Sequence, residues 1–144
     1  MEITPDRERA IREKFETNHF PKLLGIELDE IQPGRARLSV DVRKELLQLQ
    51  GVMHGGAIAS LIDTAVAFAI VGASEPEDRF TTVEMKVNYL SAIREGRVEV
   101  EATPISWASA ISIMADMKIA EILPPGFWQE TPEPSFSVAR RSLR

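Results

Sequence analysis

The triplet His54-Gly55-Gly56 and the carboxylate of Asp63 are the residues of this sequence whose types and spacing suggest chemistry. If a helix begins at the two glycines, the backbone N–H groups of its first turn have no partners within the helix. Glycine lets a carbonyl group approach such donors closely, and the helix dipole adds partial positive charge that stabilises an oxyanion. A His-Gly-Gly triplet alone is more typical of a turn, so an oxyanion site is predicted only together with a second reactive group.

Asp63 supplies that second group. It lies in the apolar stretch 61–66, where a carboxylate must be desolvated, paired or facing a cavity. Desolvation makes a carboxylate more basic, and such a group can deprotonate water or attack a carbonyl carbon itself. Both routes cleave an ester or a thioester. The alternative is an aspartate held by backbone N–H groups or by an arginine without a chemical role; the neighbouring glycines favour chemistry.

The spacing of the two groups predicts an oligomer. Eight residues separate Gly55 from Asp63, which corresponds to roughly 12 Å along a helix axis. A reacting carbon must lie about 3 Å from both the oxyanion donor and the base. The two groups of one site are therefore expected to come from different chains, which predicts a homodimer with two symmetric sites.

Four further polar residues are candidates for supporting roles. Gln48 precedes His54 by six residues and Thr82 begins a predicted strand, so either can orient water or the acyl carbonyl, although single residues of these types are more often structural. His54 is as typical of a loop hydrogen bond as of a general base, and we assign it with Gly56 to substrate positioning. Ser60 is a third candidate substrate contact, and a hydrogen bond to its own helix is the alternative.

The elements that must position these residues follow from the hydrophobic periodicity. Residues 57–72 are apolar on nearly every side, which predicts a long helix buried all round. Residues 6–18 have helical spacing and predict a surface helix within an N-terminal segment 1–20. Alternating apolar residues predict a hairpin over 26–42 and further antiparallel strands, namely 82–90, 98–102 and 111–119.

The C-terminal segment 123–144 is expected to form an irregular edge, because prolines at positions 124, 125, 132 and 134 prevent a central strand. Only Phe136 to Ala139 predicts a strand there, as the last edge strand. The length and the order of elements predict a single α+β domain over residues 1–144.

Composition excludes several classes of function. Seventeen basic and 22 acidic residues give a net charge of −5, which argues against nucleic acid as a partner. The chain has no cysteine, and its two histidines, His19 and His54, show no ligand spacing, so we expect neither a metal site nor a cofactor. The first residues lack an apolar signal segment, which predicts a cytoplasmic location. The apolar run 57–73 is short and contains Asp63, so no membrane span is expected.

Residues 48–56, with the sequence QLQGVMHGG, and the LID sequence at 61–63 resemble the motif of the PaaI-type hotdog-fold acyl-CoA thioesterases. The strand predicted at 82–90 is also similar, and the likeness extends from about residue 23 to 119. The resemblance implies a hotdog fold, in which a curved antiparallel sheet of five to six strands wraps around one long buried helix. It also implies a homodimer or a dimer of dimers, that is, a homotetramer.

The resemblance further implies a role for each matching residue. The backbone N–H of Gly55 polarises the thioester carbonyl, and Asp63 from the partner chain acts as base or nucleophile. Thr82 helps to place water, and acyl-CoA is the substrate. The family usually has asparagine where this chain has Gln48, and the prolines of 124–134 also depart from its pattern. The alternatives are a hotdog-fold hydratase or dehydratase, which needs His54 for proton transfer, and a non-catalytic acyl-CoA binding protein.

Overall fold

The computed structural model describes residues 3–106, 110–119 and 136–141. These residues form helices and strands in the following order: α1 Pro5–Glu16, α2 His19–Leu24, β1 Glu27–Gln32, β2 Arg35–Asp41, a 3-10 helix Lys44–Leu46, α3 Gly55–Ala73, β3 Arg79–Met85, β4 Arg97–Ser106, β5 Ala110–Ile119 and β6 Phe136–Arg141. The strands form one antiparallel sheet in the order β1-β2-β4-β5-β6-β3. This sheet and the long helix α3 confirm the predicted α+β class, and the described residues contribute six strands to the sheet.

The core lies between α3 and the central strands β2 and β4. The strands β1 and β2 form the predicted hairpin, and Gly34 at its turn has a φ of 77°, which favours glycine. Because side chains alternate along a strand, β2 and β4 each direct every second residue towards the helix. These inward residues are almost completely buried: Ala36, Leu38, Val40, Val98, Val100 and Ala102.

Helix α3 begins and ends close to its predicted bounds, but the prediction that it is buried all round is wrong for a single chain. Its buried side includes Leu61, Ala65 and Ala69, which have no exposed surface. A stripe of small and polar residues that includes Ser60 and Asp63 remains partly exposed, because the sheet covers the helix from one side. The helix is long and apolar enough to cross a membrane, but its position against the sheet is that of a core helix.

The surface helix predicted over 6–18 is present as α1, and the short helix α2 that follows it was not predicted. Thr4 caps α1 by accepting a hydrogen bond from the Arg7 N–H, and the chain leaves the helical path near Asn18 before α2 begins. The guanidinium of Arg7 donates to the carbonyls of Val71 and Ser74, at 3.2 and 2.6 Å. Helix α1 therefore contacts the end of α3, whose last carbonyl groups lack partners within the helix.

The outward face of β1, β2 and β4 carries paired charges. Arg97 forms ion pairs with Glu27, Asp29 and Asp41, and it donates to the buried hydroxyl of Ser39 at 2.6 Å. The hydrogen bond to Glu27 is the main cause that raises the pKa of Arg97 above its ordinary value. This guanidinium therefore stays charged and joins three strands on the side opposite the core.

The structure corrects two further predictions. Strand β3 covers 79–85 instead of 82–90, because the chain leaves the sheet after Met85. Strand β6 covers 136–141 and lies between β5 and β3, so its prediction as an edge strand is wrong. The proline-containing stretch 123–135, predicted to be irregular, lies outside the described residues.

Candidate active site

A tight loop fixes the start of α3. Leu47 and Met53 form an isolated bridge, and the Gln48 N–H donates to the Val52 carbonyl at 2.9 Å. Gly51 closes this turn with a φ of 69°, which an L side chain rarely adopts. The His54 N–H then donates to the Leu46 carbonyl at 2.7 Å. The helix begins at Gly55, where the sequence predicted its N-terminus.

His54 is the N-cap residue of α3. Its Nδ1 accepts a hydrogen bond of 2.9 Å from the Gly56 N–H. This nitrogen must be unprotonated to accept, so it is occupied in holding the helix start. The Gly55 N–H has no acceptor among the described residues. Of the two glycine donors, only Gly55 is therefore without an acceptor among the described residues, and His54 positions the start of the helix. The substrate-positioning role expected for His54 and Gly56 stays a prediction.

Tyr89 is a residue of this region that the sequence analysis missed. Its hydroxyl donates to the Gly55 carbonyl at 3.0 Å. A Cβ added at Gly55 would lie 3.4 Å from the tyrosine ring and hydroxyl, so the ring covers one side of the glycine. The alternating pattern assigned Tyr89 to a strand. The sequence contained one sign that this residue is unusual: Tyr89 is the single tyrosine of the chain and lies at the end of that pattern.

A cleft of about 430 Å³ opens beside the start of α3. Gln48, Gly55, Ile58 and Tyr89 contribute to its lining, and the remaining described lining residues are Val52, Met53, Leu90, Ser91, Ala92 and Ile93. None of these residues carries a charge at neutral pH. The cleft therefore suits an uncharged group bound next to the free N–H of Gly55.

Asp63 lies roughly 12 Å further along the helix, because each helical residue advances the axis by about 1.5 Å. Its Oδ1 accepts a hydrogen bond of 2.6 Å from the Thr82 hydroxyl of β3. The pairing of β3 with β6 shifts register between Thr82 and Glu84, and such an irregularity can redirect a side chain. Asp63 is partly exposed. Among the residues that the structure describes, neither a backbone N–H nor an arginine is bonded to it, in contrast to the alternative considered from the sequence.

Ser60 shows the alternative geometry that the sequence left open. Its hydroxyl donates to the Gly56 carbonyl at 2.7 Å, and Thr64 donates in the same way to the Ser60 carbonyl. In helices, serine and threonine hydroxyls commonly donate in this way to the backbone carbonyl four residues earlier. The Ser60 oxygen is partly exposed and keeps lone pairs that can accept a further bond.

One chain does not bring all of the predicted residues together. Gln48 and Gly55 line the cleft at the start of α3, whereas Asp63 and Thr82 form a separate pair that does not line it. Among the described residues, no three His, Asp or Glu side chains are placed to hold a metal ion. The arrangement offers an oxyanion donor in one place and a carboxylate in another.

Known proteins share this fold and part of this sequence. Residues 50–111, which include Gly55 and Asp63, match the family model of the thioesterase superfamily. A Saccharolobus solfataricus protein named "Putative esterase" is 29% identical over 67% of this chain and 63% of its own length. The chain thus spans less than two thirds of that relative. The 1,4-dihydroxy-2-naphthoyl-CoA hydrolase of Listeria monocytogenes is 27% identical over 57% of this chain and 67% of its own.

Solved structures extend the likeness over nearly the whole chain. The PaaI protein of Escherichia coli superposes with a TM-score of 0.77 at 16% identity, covering 97% of this chain and 96% of its own. A thioesterase family protein from Silicibacter pomeroyi gives 0.72 at 25% identity, covering 92% of both chains. The predicted resemblance to the PaaI-type thioesterases is therefore confirmed, and the chain has the predicted hotdog fold.

Proposed function

We propose that this protein hydrolyses acyl-CoA thioesters to a free carboxylic acid and coenzyme A. The observation that carries the proposal is the free Gly55 N–H at the start of a helix whose exposed stripe also bears Asp63. The family match supports thioester chemistry, and one relative is named as a CoA hydrolase. The substrate has a carbonyl oxygen for the N–H donor and a carbonyl carbon that an activated water can attack.

The active site is proposed to form between two copies of the chain. The roughly 12 Å that separate Gly55 from Asp63 along one helix prevent both from reaching one carbonyl. Strand β3, which carries Thr82, is an edge of the sheet, and its Val83 is 66% exposed. An edge strand with an exposed apolar side chain favours pairing with another chain. A two-fold dimer then has two equivalent sites, and in each of them Asp63 of one copy lies near Gly55 of the other.

In the proposed reaction the Asp63 carboxylate accepts a proton from a water molecule as that water attacks the thioester carbon. The carbonyl oxygen becomes an oxyanion that accepts a hydrogen bond from the Gly55 N–H. Collapse of this intermediate breaks the carbon–sulfur bond, and the thiolate of coenzyme A receives the proton from Asp63. The direct attack of Asp63 on the carbonyl, followed by hydrolysis of the anhydride, is the alternative for the same residues.

Three polar residues have supporting roles in this proposal. Thr82 holds one oxygen of Asp63, and the other oxygen, which accepts no hydrogen bond from the described residues, can face water. Gln48 lines the cleft that contains Gly55 and can donate to the acyl carbonyl or to water. His54 holds the helix start through Nδ1. The same bond counts against a hydratase, which needs His54 for proton transfer.

The cleft also limits the acyl group. Its described lining residues are uncharged, so a second carboxylate on the acyl chain would lose its hydration without gaining an ionic partner. We therefore expect uncharged acyl groups to be preferred over acyl groups that end in a carboxylate. This expectation concerns the acyl end of the substrate only.

A thiol-release screen tests the proposed function. Purified protein is incubated with short, medium, long and aryl acyl-CoAs and with one dicarboxylic acyl-CoA, and released coenzyme A is measured. Turnover that falls by roughly 10²–10⁴-fold in Asp63→Asn, with binding little changed, supports the proposal. Saturable binding without thiol release points to a binding protein, and hydration of an enoyl-CoA points to a hydratase; either result overturns it.

A further inference from the structure

We infer that Tyr89 is a specificity-determining residue whose ring disfavours acyl groups that are branched at the carbon next to the carbonyl. The inference rests on the proposed function, because it concerns the acyl group that reaches the Gly55 N–H. Atoms of the Tyr89 ring and its hydroxyl lie 3.4 Å from where a Cβ of Gly55 would stand, and Tyr89 lines the cleft beside the start of α3. A side chain in this position meets the acyl group close to its carbonyl.

The length of the bonds in a thioester places its first acyl carbon in the same region. A carbonyl oxygen that accepts from the Gly55 N–H lies about 2.9 Å from the nitrogen, and the next acyl carbon lies two bonds beyond that oxygen, so it is within about 6 Å of the nitrogen. The nearest atoms of the Tyr89 side chain lie within about 5 Å of the Gly55 Cα. A methyl branch on the first acyl carbon therefore competes with the ring for space.

Two contacts keep the ring in this position although it is 53% exposed. The Tyr89 hydroxyl donates to the Gly55 carbonyl at 3.0 Å. The segment that carries Tyr89 is joined to the loop before α3 by the Met53 N–H, which donates to the Ile93 carbonyl at 2.6 Å. The ring cannot turn away from Gly55 without breaking the bond of its hydroxyl, so it acts as a fixed wall.

The floor of the cleft does not yield either. Met53, Ile58 and Ile93 line the cleft and are buried in the core, where close packing resists displacement. A straight acyl chain can lie along this apolar floor. A branch next to the carbonyl has to displace the ring of Tyr89 or move the carbonyl away from the Gly55 N–H.

The test compares butyryl-CoA with isobutyryl-CoA, which are isomers of equal charge. We expect the wild-type protein to prefer butyryl-CoA in kcat/KM by about tenfold or more, the usual effect of one methyl group that a pocket does not fit. Tyr89→Ala removes the wall and should lower this preference by about tenfold, whereas Tyr89→Phe keeps the ring without its anchor and should lower it by about two- to threefold. Both substrates are measured on one preparation, so a loss of folded protein cancels in the ratio.

Phe20→Ala is the matched control. Phe20 is an aromatic residue of α2 that is 54% exposed and does not line the described cleft. Its removal should leave the preference for butyryl-CoA unchanged, which separates the effect of the wall from the loss of any half-exposed aromatic ring.

Binding separates this inference from the proposed function. The dissociation constants of the two acyl-CoAs are measured by calorimetry on Asp63→Asn, which retains the cleft, with and without Tyr89→Ala. If the wild-type protein releases no thiol but Tyr89→Ala lowers the preference in binding, the proposed function fails and the role of Tyr89 stands. If thiol is released but butyryl-CoA is not preferred, or Tyr89→Ala leaves the preference unchanged, the inference is overturned and the proposed function stands.

Discussion

The substitution Gly55→Ala should separate stability from activity. A Cβ at Gly55 would lie 3.4 Å from the Tyr89 ring, which is an ordinary contact that needs no rearrangement. Alanine favours a helix over glycine by up to about 1 kcal/mol, so the free energy of unfolding should stay equal or rise by that amount. For a chain of this size the midpoint of thermal unfolding would rise by up to about 2–4 °C.

Activity should change in the opposite direction. The added methyl group stands beside the Gly55 N–H, where a substrate carbonyl must approach, so this donor no longer reaches the oxyanion. Losing one such donor costs about 10²–10³-fold in rate. The assay combines thermal unfolding with the rate of thiol release from the best acyl-CoA of the screen.

Gly56→Ala is the matched comparison. A Cβ at Gly56 would lie 3.0 Å from Nδ1 and 3.3 Å from Cε1 of His54, so it displaces the imidazole that caps the helix. Loss of a cap costs about 0.5–2 kcal/mol, which offsets the gain in helix propensity. Gly56→Ala should therefore be less stable than Gly55→Ala but more active. A Gly55→Ala protein with wild-type turnover would refute the close approach of substrate to this glycine.

Three further predictions address stability, metal dependence and the family difference. Gly72→Ala should destabilise the fold by about 1–3 kcal/mol in urea unfolding, because its Cβ would lie 2.4 Å from the Gln32 carbonyl oxygen; unchanged stability would show that the backbone moves apart freely. Chelation with EDTA should leave turnover unchanged, since the chain has no cysteine and only two histidines; a loss that a divalent metal restores would contradict this. Gln48→Asn should preserve or raise kcat, and a fall of more than about tenfold would show that the longer side chain is required.

The sequence predicted the elements that have a clear period. Alternation predicted the hairpin over 26–42, and its apolar residues Ala36, Leu38 and Val40 are buried in β2. Gly55 was predicted as the start of the long helix, and α3 begins there. These features are local, so they can be predicted from a short stretch of chain.

The features that the sequence did not predict depend on distant parts of the chain. Alternation continues to Tyr89, but the backbone leaves the sheet after Met85 and brings that tyrosine to Gly55, 34 residues away. The order of strands places β6 beside β3, which no local pattern indicates. The partial exposure of Asp63 follows from which side of α3 the sheet covers.

The measurement that tests the shared active site most directly is complementation between two inactive variants. Asp63→Asn keeps the free Gly55 N–H, and Gly55→Val keeps Asp63 while its larger side chain fills the space beside Tyr89. Each variant alone should show little thiol release. The two proteins are mixed, unfolded and refolded together, and native mass spectrometry verifies that mixed dimers have formed.

In a mixed dimer, one site contains both substitutions and the other contains neither. Equal mixing makes half of the dimers mixed, so thiol release should recover to roughly a quarter of the wild-type rate. Recovery near this value is the result that we predict. Verified mixed dimers that remain as inactive as either parent would contradict the shared site.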